Sequence, residues 1–227
     1  MVQDKVVVAS LSDQVYEILR RHIVERKIAP AKKIEIDALA QELGVSRTPI
    51  LDALTRLEAE GLITRRNRVG TYVAPVNQQI MDEIFEAREM IEAWAAAPAI
   101  ARLTENDLVE LRATMELARQ ATEVATDEKF DYLEFTRYDE RFHTKLIALC
   151  GNSRIMAMYA ALNSHMQIAR VYSLRALARS RESYTEHMAI LAAYAARDVA
   201  AAVEAQRNHV ERSRAGVNAL LVQHGIL

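Results

Sequence analysis

Asp139 and His143 stand four residues apart, a spacing that on a helix stacks a carboxylate and an imidazole on one face, about 6 Å apart along the axis. Leu146, Ile147 and Cys150 share that face, so both polar groups point into an apolar interior, where an isolated charge is too costly and must be paired or ligated. His187 lies on a stripe with Tyr184, Ile190 and Leu191 and also points inward. His209 is flanked at helical spacing by Ala202, Ala205, Ser213 and Gly216, small residues that leave space beside its ring. One carboxylate and three imidazoles suit a divalent transition ion (Zn2+, Ni2+, Mn2+ or Fe2+, with zinc the ion expected in purified protein) and leave positions open for water or a ligand oxygen. Spacing alone leaves the plainer reading open for each of them, a hydrogen-bonded core or surface histidine.

A second chemistry is written near the other end of the chain. Ser46-Arg47-Thr48-Pro49 opens a helix with a capping residue and with a proline in the first turn, where its missing N–H costs little. Free N–H groups and the positive end of the helix dipole attract phosphate there, and Arg47 adds a charge-assisted or bidentate contact to phosphate or guanine. Arg47, Leu51 and Thr55 share the face opposite an Ile50/Leu54/Leu57 core stripe, which makes that face a candidate reading surface for double-helical DNA. Arg65, Arg66 and Arg68 would follow the phosphate backbone or probe the adjacent minor groove from a hairpin loop.

The elements that must hold these groups follow from periodicity. Leu11, Val15, Ile18, Leu19 and Ile23 predict a helix over Ser12 to Arg26, and Ile34, Ala38, Leu39 and Leu43 a shorter one closed by Gly44. A third helix runs from the Ser46 cap to Gly61. The pattern then alternates in Leu62–Arg65 and Thr71–Ala74, around a cationic turn, which predicts a small hairpin. Pro75 and Asn77-Gln78-Gln79 mark a junction, so we expect a helix-turn-helix DNA-binding domain with a small hairpin over 1–76 and an all-helical domain holding the candidate metal ligands over 77–227. Beyond Ile80 the chain is alanine-rich and helical, with helices predicted near 80–102, 105–122, 127–149, 153–172, 182–197 and 199–222, capped by residues such as Thr104, Asn152 and Asp198. Short connections favour an antiparallel all-α bundle, and Trp94 and the methionines are expected in its core. The fold class is therefore mainly α.

Composition agrees with this division. At 227 residues, 51% hydrophobic with six glycines and four prolines, the chain is neither disordered nor low-complexity. Charge is nearly balanced overall, but residues 1–76 hold 12 Lys and Arg against 10 Asp and Glu, whereas 77–227 hold 17 against 21. A single cysteine excludes an internal disulfide and a thiolate cage. With no signal-peptide core or apolar run of spanning length, we expect a cytoplasmic protein.

The order of these features carries a resemblance. Leu43-Gly44-Val45-Ser46-Arg47-Thr48-Pro49, then Ala53-Leu54, Arg56-Leu57-Glu58, Glu60-Gly61-Leu62-Ile63 and Gly70-Thr71-Tyr72-Val73, resemble the GntR family of bacterial winged-helix regulators over about residues 11–75. The family commonly has an operator-reading Arg followed by Glu where this chain has Leu51-Asp52, and we expect Leu51 to replace a guanine contact by apolar contact with a thymine methyl. Residues 80–222 resemble the FCD effector domain of the FadR-like branch, through Arg88-x-x-Ile91-Glu92, Asp139-x-x-Phe142-His143, Gly151-Asn152, Glu186-His187-x-x-Ile190 and His209. The resemblance implies that Asp139, His143, His187 and His209 are metal ligands, and that Arg88 helps the metal receive the carboxylate of a small organic acid; pairing with Glu92 is the other role open to Arg88. His22, His165 and His224 match no ligand position. It also implies a homodimer that binds a palindromic operator, most often as a repressor, and no enzymatic activity. A metal-dependent hydrolase is the competing reading, weakened by the lack of a His-Glu-x-x-His segment, a P-loop or an evident general base. A purely structural metal is a third.

Overall fold

The computed structural model describes residues 10–24, 27–66, 69–75, 77–124, 126–170 and 177–223. Arg68, Val76, His224 and the far ends of the helices expected to reach Arg26 and residue 172 lie outside the described residues, as does the side chain of His165. The chain divides into two compact units, Met1–Val76 and Asn77–Leu227.

In the first unit α1 (Leu11–Val24) packs on α3 (Arg47–Ala59), with α2 (Ile36–Leu43) beside it. Most of the expected stripes are inside: Val15, Leu19 and Ile23 from α1 meet Ile50, Ala53, Leu54 and Leu57 from α3, whereas Leu11 at the start of α1 and Ala38 on α2 are exposed. Each fully buried Leu or Ile contributes about 1.5–3 kcal/mol, so α3 is held by its inner face and leaves its outer face free for other work. Gly44 adopts the left-handed conformation (φ 65°) that ends α2 and turns the chain into α3. The sheet has three strands in the order β1-β3-β2: β1 (Lys33–Ile34), β2 (Ile63–Arg66) and β3 (Gly70–Val73), all antiparallel.

Three expectations for this unit are corrected. Ile34 belongs to β1, not α2, because it pairs with Thr71 and leaves the helix to begin at Ile36. Arg66 and Gly70 are paired strand residues rather than loop. Ser46 occupies the N-cap position of α3 but makes no side-chain cap bond. Gly70, at φ 142°, holds a backbone conformation that residues with a side chain rarely adopt, and a Cβ there would also have to displace the end of the Lys33 side chain, 2.8 Å away.

The second unit is built from α4 (Gln78–Arg102), α5 (Glu105–Thr122), α6 (Tyr132–Leu149), α7 (Ser153–Arg170), α8 (Leu177–Ala195) and α9 (Val199–Gln223). Helix α4 packs along α9 and also touches α6 and α7, while α8 pairs with α9 and α5 with α6 and α8. Thr104 and Asp107 form a reciprocal capping box at α5, and Asn152 and Asp198 accept backbone bonds at the starts of α7 and α9, as their residue types lead one to expect. Helix α6 starts at Tyr132 instead of residue 127 because Asp131 caps it, and a single 3-10 turn at Asp127–Lys129 precedes it. Arg197, left-handed at φ 56°, follows the end of α8, and its guanidinium donates to the carbonyls of Ile100 and Leu103 at the end of α4. Trp94 and Met90, expected in the core, are 52% and 62% exposed: α4 is apolar around most of its circumference, so composition does not reveal which apolar side faces inward. Among the described residues no helix is long and apolar enough to cross a membrane.

Candidate metal centre and candidate DNA-reading face

Helix α6 carries Asp139 and His143 one turn apart, α8 brings His187 and α9 brings His209, and all four side chains are buried. One ligand atom from each lies within 4.8 Å of every other. Nε2 of His143 and Nε2 of His187 are 3.0 Å apart, and Oδ1 of Asp139 is 3.3 Å from Nε2 of His187. Donors bound to one divalent ion at about 2.0–2.2 Å sit no more than about 4.4 Å apart, so shifts of a few tenths of an ångström close this cluster around an ion.

The hydrogen bonds set the tautomer of two of the three imidazoles. Nη2 of Arg88, which can only donate, is 3.0 Å from Nε2 of His143 and 3.2 Å from Nε2 of His209, so both nitrogens accept and the ring protons sit on Nδ1. The Nδ1–H of His209 donates to Oε2 of Glu186 at 2.8 Å. That carboxylate is held in turn by both terminal nitrogens of Arg179, at 3.0 and 2.9 Å. This is the carboxylate–histidine arrangement that orients a metal-binding ring. Nδ1 of His143 and of His187 are buried without a hydrogen-bond partner. Burial, then the neighbouring His143, pulls His187 down to about 3, and burial with His187 and His143 puts His209 well below its ordinary value. Three imidazole Nε2 atoms and a carboxylate converging in a buried interior, with His187 and His209 held unprotonated, form a donor set that fits a cation.

Arg88 and Glu92 both come from α4. Nε of Arg88 donates to Oε1 of Glu92 at 2.6 Å, which accepts a second bond from the Tyr159 hydroxyl on α7 at 2.9 Å and lies 3.5 Å from Nδ1 of His143. Burial opposes both charges, but each outweighs that cost for the other: Arg88 stays firmly protonated and Glu92 well below the carboxylate range. Burial and Glu92 push the Tyr159 hydroxyl well up. The two roles weighed for Arg88 thus coexist in one geometry, since the side chain pairs with Glu92 and also borders the histidine cluster. Glu92, Tyr159 and Glu186 were not singled out as site residues by sequence reasoning. Glu92 stands one helical turn from Arg88, the signal that could have found it, whereas no local spacing marks Glu186 or Tyr159.

On the first unit, Ser46, Arg47, Thr48, Leu51 and Thr55 are all exposed, and Pro49 is tucked under the start of α3. Nε of Arg47 lies 3.3 Å from Oδ1 of Asp37 on α2, an open-solvent pair that ties the two helices of the motif only lightly. Without a side-chain cap from Ser46, the first N–H groups of α3 remain available to an anion. Arg65 and Arg66 leave β2 on opposite sides. Arg66 lies over the Tyr72 ring, 4.9 Å from its centre, while Arg65 folds across α3 onto Thr55. Gly70 closes the hairpin at the strand opposite Arg66.

Residues 11–73 match the family described as bacterial regulatory proteins, gntR family, and residues 83–212 match the FCD domain. The transcriptional repressor GlaR of Escherichia coli is 29% identical over 199 residues, 86% of this chain and 90% of that protein. An uncharacterized HTH-type transcriptional regulator of Agrobacterium vitis is 31% identical over 147 residues, 64% of this chain and 84% of its own length. The solved structure of McbR/YncC from E. coli superposes with a TM-score of 0.74 at 25% identity, covering 93% of this chain and 99% of that one. The first two of these are named as transcription regulators, not enzymes.

Proposed function

The chain belongs to the gntR family of bacterial regulatory proteins and carries an FCD domain, so it is a transcription regulator, and from that premise we propose how it reads and senses. It is a cytoplasmic, dimeric, ligand-responsive repressor in which residues 1–76 bind one half of a palindromic operator and residues 77–227 dimerise and hold a divalent transition metal. The observation that carries the sensing half is the convergence of Asp139, His143, His187 and His209 within 4.8 Å.

On the reading side, the exposed start of α3 receives a phosphate, Arg47 contacts phosphate or guanine, and Leu51 and Thr55 continue the same face into the major groove. Thr48 lies in the first turn beside Arg47, and Arg66 and Gly70 belong to the hairpin that follows the backbone, to which the sequence adds the charge of Arg68. On the sensing side, Asp139, His143, His187 and His209 supply the donors. A divalent ion bound there contributes positive charge and open coordination positions for a small carboxylate. Glu186 keeps the proton of His209 on Nδ1, and Glu92 keeps Arg88 charged beside Nε2 of His143 and His209, so an anion entering the cluster meets a guanidinium already in place. The effector then acts through its different affinity for two arrangements of the dimer, and a coupling of about 1–3 kcal/mol changes operator affinity about five- to 150-fold.

The test is a reciprocal pair of variants of the full chain, read by gel shift on promoter DNA and by bound-metal analysis. His187→Ala and His209→Ala should lose metal and keep the DNA shift, while Arg47→Ala should lose the shift and keep metal. If each substitution abolished both properties, the two-module reading would fall.

A further inference from the structure

We infer that Arg65 reads a guanine from the major-groove side, delivered to the outer face of α3 by strand β2, and does not act as a phosphate contact at the tip of the hairpin. This rests on the DNA-reading assignment proposed above and adds a specificity residue to it.

The strand sets the direction. Side chains alternate along β2, so Arg65 leaves it on the same side as Ile63, which is buried at 1% exposure in the core of the unit. Two residues further on, that side clears the core and emerges at the outer edge of α3. There Nη2 of Arg65 donates to Oγ1 of Thr55 at 2.8 Å and approaches the carbonyl of Leu51 at 3.4 Å, while Nε lies 3.2 Å from Oε2 of Glu58. Thr55 Oγ1 itself donates to the Leu51 carbonyl at 2.9 Å, so the guanidinium rests on a hydroxyl that is already anchored to the helix backbone.

These contacts use Nε and Nη2, one edge of the guanidinium fork. The end of the fork is shared by Nη1 and Nη2, and exchange of the long Nη2 contact with the Leu51 carbonyl, 3.4 Å, for a base gives the parallel pair of N–H donors that matches O6 and N7 of guanine. The side chain is 37% exposed, so a partner can reach it, and three partners on α3 hold it before that partner arrives. It lies at the level of Leu51, a residue that offers DNA no hydrogen bond from its side chain. Arg66, on the opposite side of the strand, lies against Tyr72 instead.

The experiment selects operators for the full-length protein from a randomised duplex library, then repeats the selection with Arg65→Ala, Arg65→Lys and Arg66→Ala. Arg65→Ala should erase the preference for guanine at one position of each half-site, with at least about a fivefold loss of discrimination there, and leave the other positions unchanged. Arg65→Lys keeps the charge and the stem but not the fork, so it should lose the same preference while retaining most of the affinity; it also decides the question if the alanine variant folds poorly. Arg66→Ala should weaken all sequences evenly. An unchanged base profile for both Arg65 variants, or a guanine preference retained by lysine, would overturn the inference. Failure of the unaltered protein to enrich any sequence would overturn the DNA-reading assignment itself, a distinct result.

Discussion

At the start of α3, Arg47 meets Asp37 across 3.3 Å with side chains 63% and 78% exposed, whereas within the helical unit Arg88 meets Glu92 across 2.6 Å with side chains 4% and 1% exposed. The two arginine–carboxylate pairs are alike in chemistry and opposite in setting. Water screens the first, which is therefore worth little and can be surrendered to a phosphate. The second is sealed, so neither partner can leave without stranding the other's charge. A pair held loosely at the surface can be taken apart by an incoming group, whereas one held from every side inside the helical unit cannot.

The sharpest way to break this contrast is Glu92→Ala. It leaves Arg88 buried without its counter-charge and removes the acceptor of the Tyr159 hydroxyl, and should cost about 3–5 kcal/mol in urea unfolding. A cost below about 1 kcal/mol would mean that water enters the site freely. A smaller effect is expected from Glu186→Ala, which frees the His209 ring to turn: metal affinity by competition with a chelator should fall about 10–100-fold with the fold retained. An unaltered affinity would reduce the Glu186–His209 bond to packing. The smallest effect belongs to Asp37→Asn. Stability should stay within about 0.5 kcal/mol, while operator affinity rises roughly two- to fivefold at low salt, a gain that shrinks as salt increases. Equal affinity for both forms would show that Asp37 does not restrain Arg47.

The same contrast explains what could be read in advance. Helix α3 is amphipathic, so its inner stripe of Ile50, Leu54 and Leu57 and its outer row of Arg47, Leu51 and Thr55 follow from one period, and both are where periodicity puts them. Asp139 and His143 are legible for the same reason. Glu186 is not, since it lies about 100° around α8 from His187 and finds His209 only because α9 packs there. Tyr159 reaches Glu92 from a helix 67 residues further along the chain, a meeting no local pattern announces. Strand β1 is two residues long, too short to show alternation, so Ile34 reads as part of the next helix. The path of Arg65 depends on how β2 lies over α3, and residue type alone assigns it to the cationic turn.

Trp94 is the one indole of the chain, and it stands half in solvent on α4, within a helical turn of both Met90 and Glu92. The molecule therefore carries a built-in optical reporter at a single address. Its emission and its quenching by iodide record whatever covers or bares that side of α4, with no dye to attach and no second tryptophan to subtract.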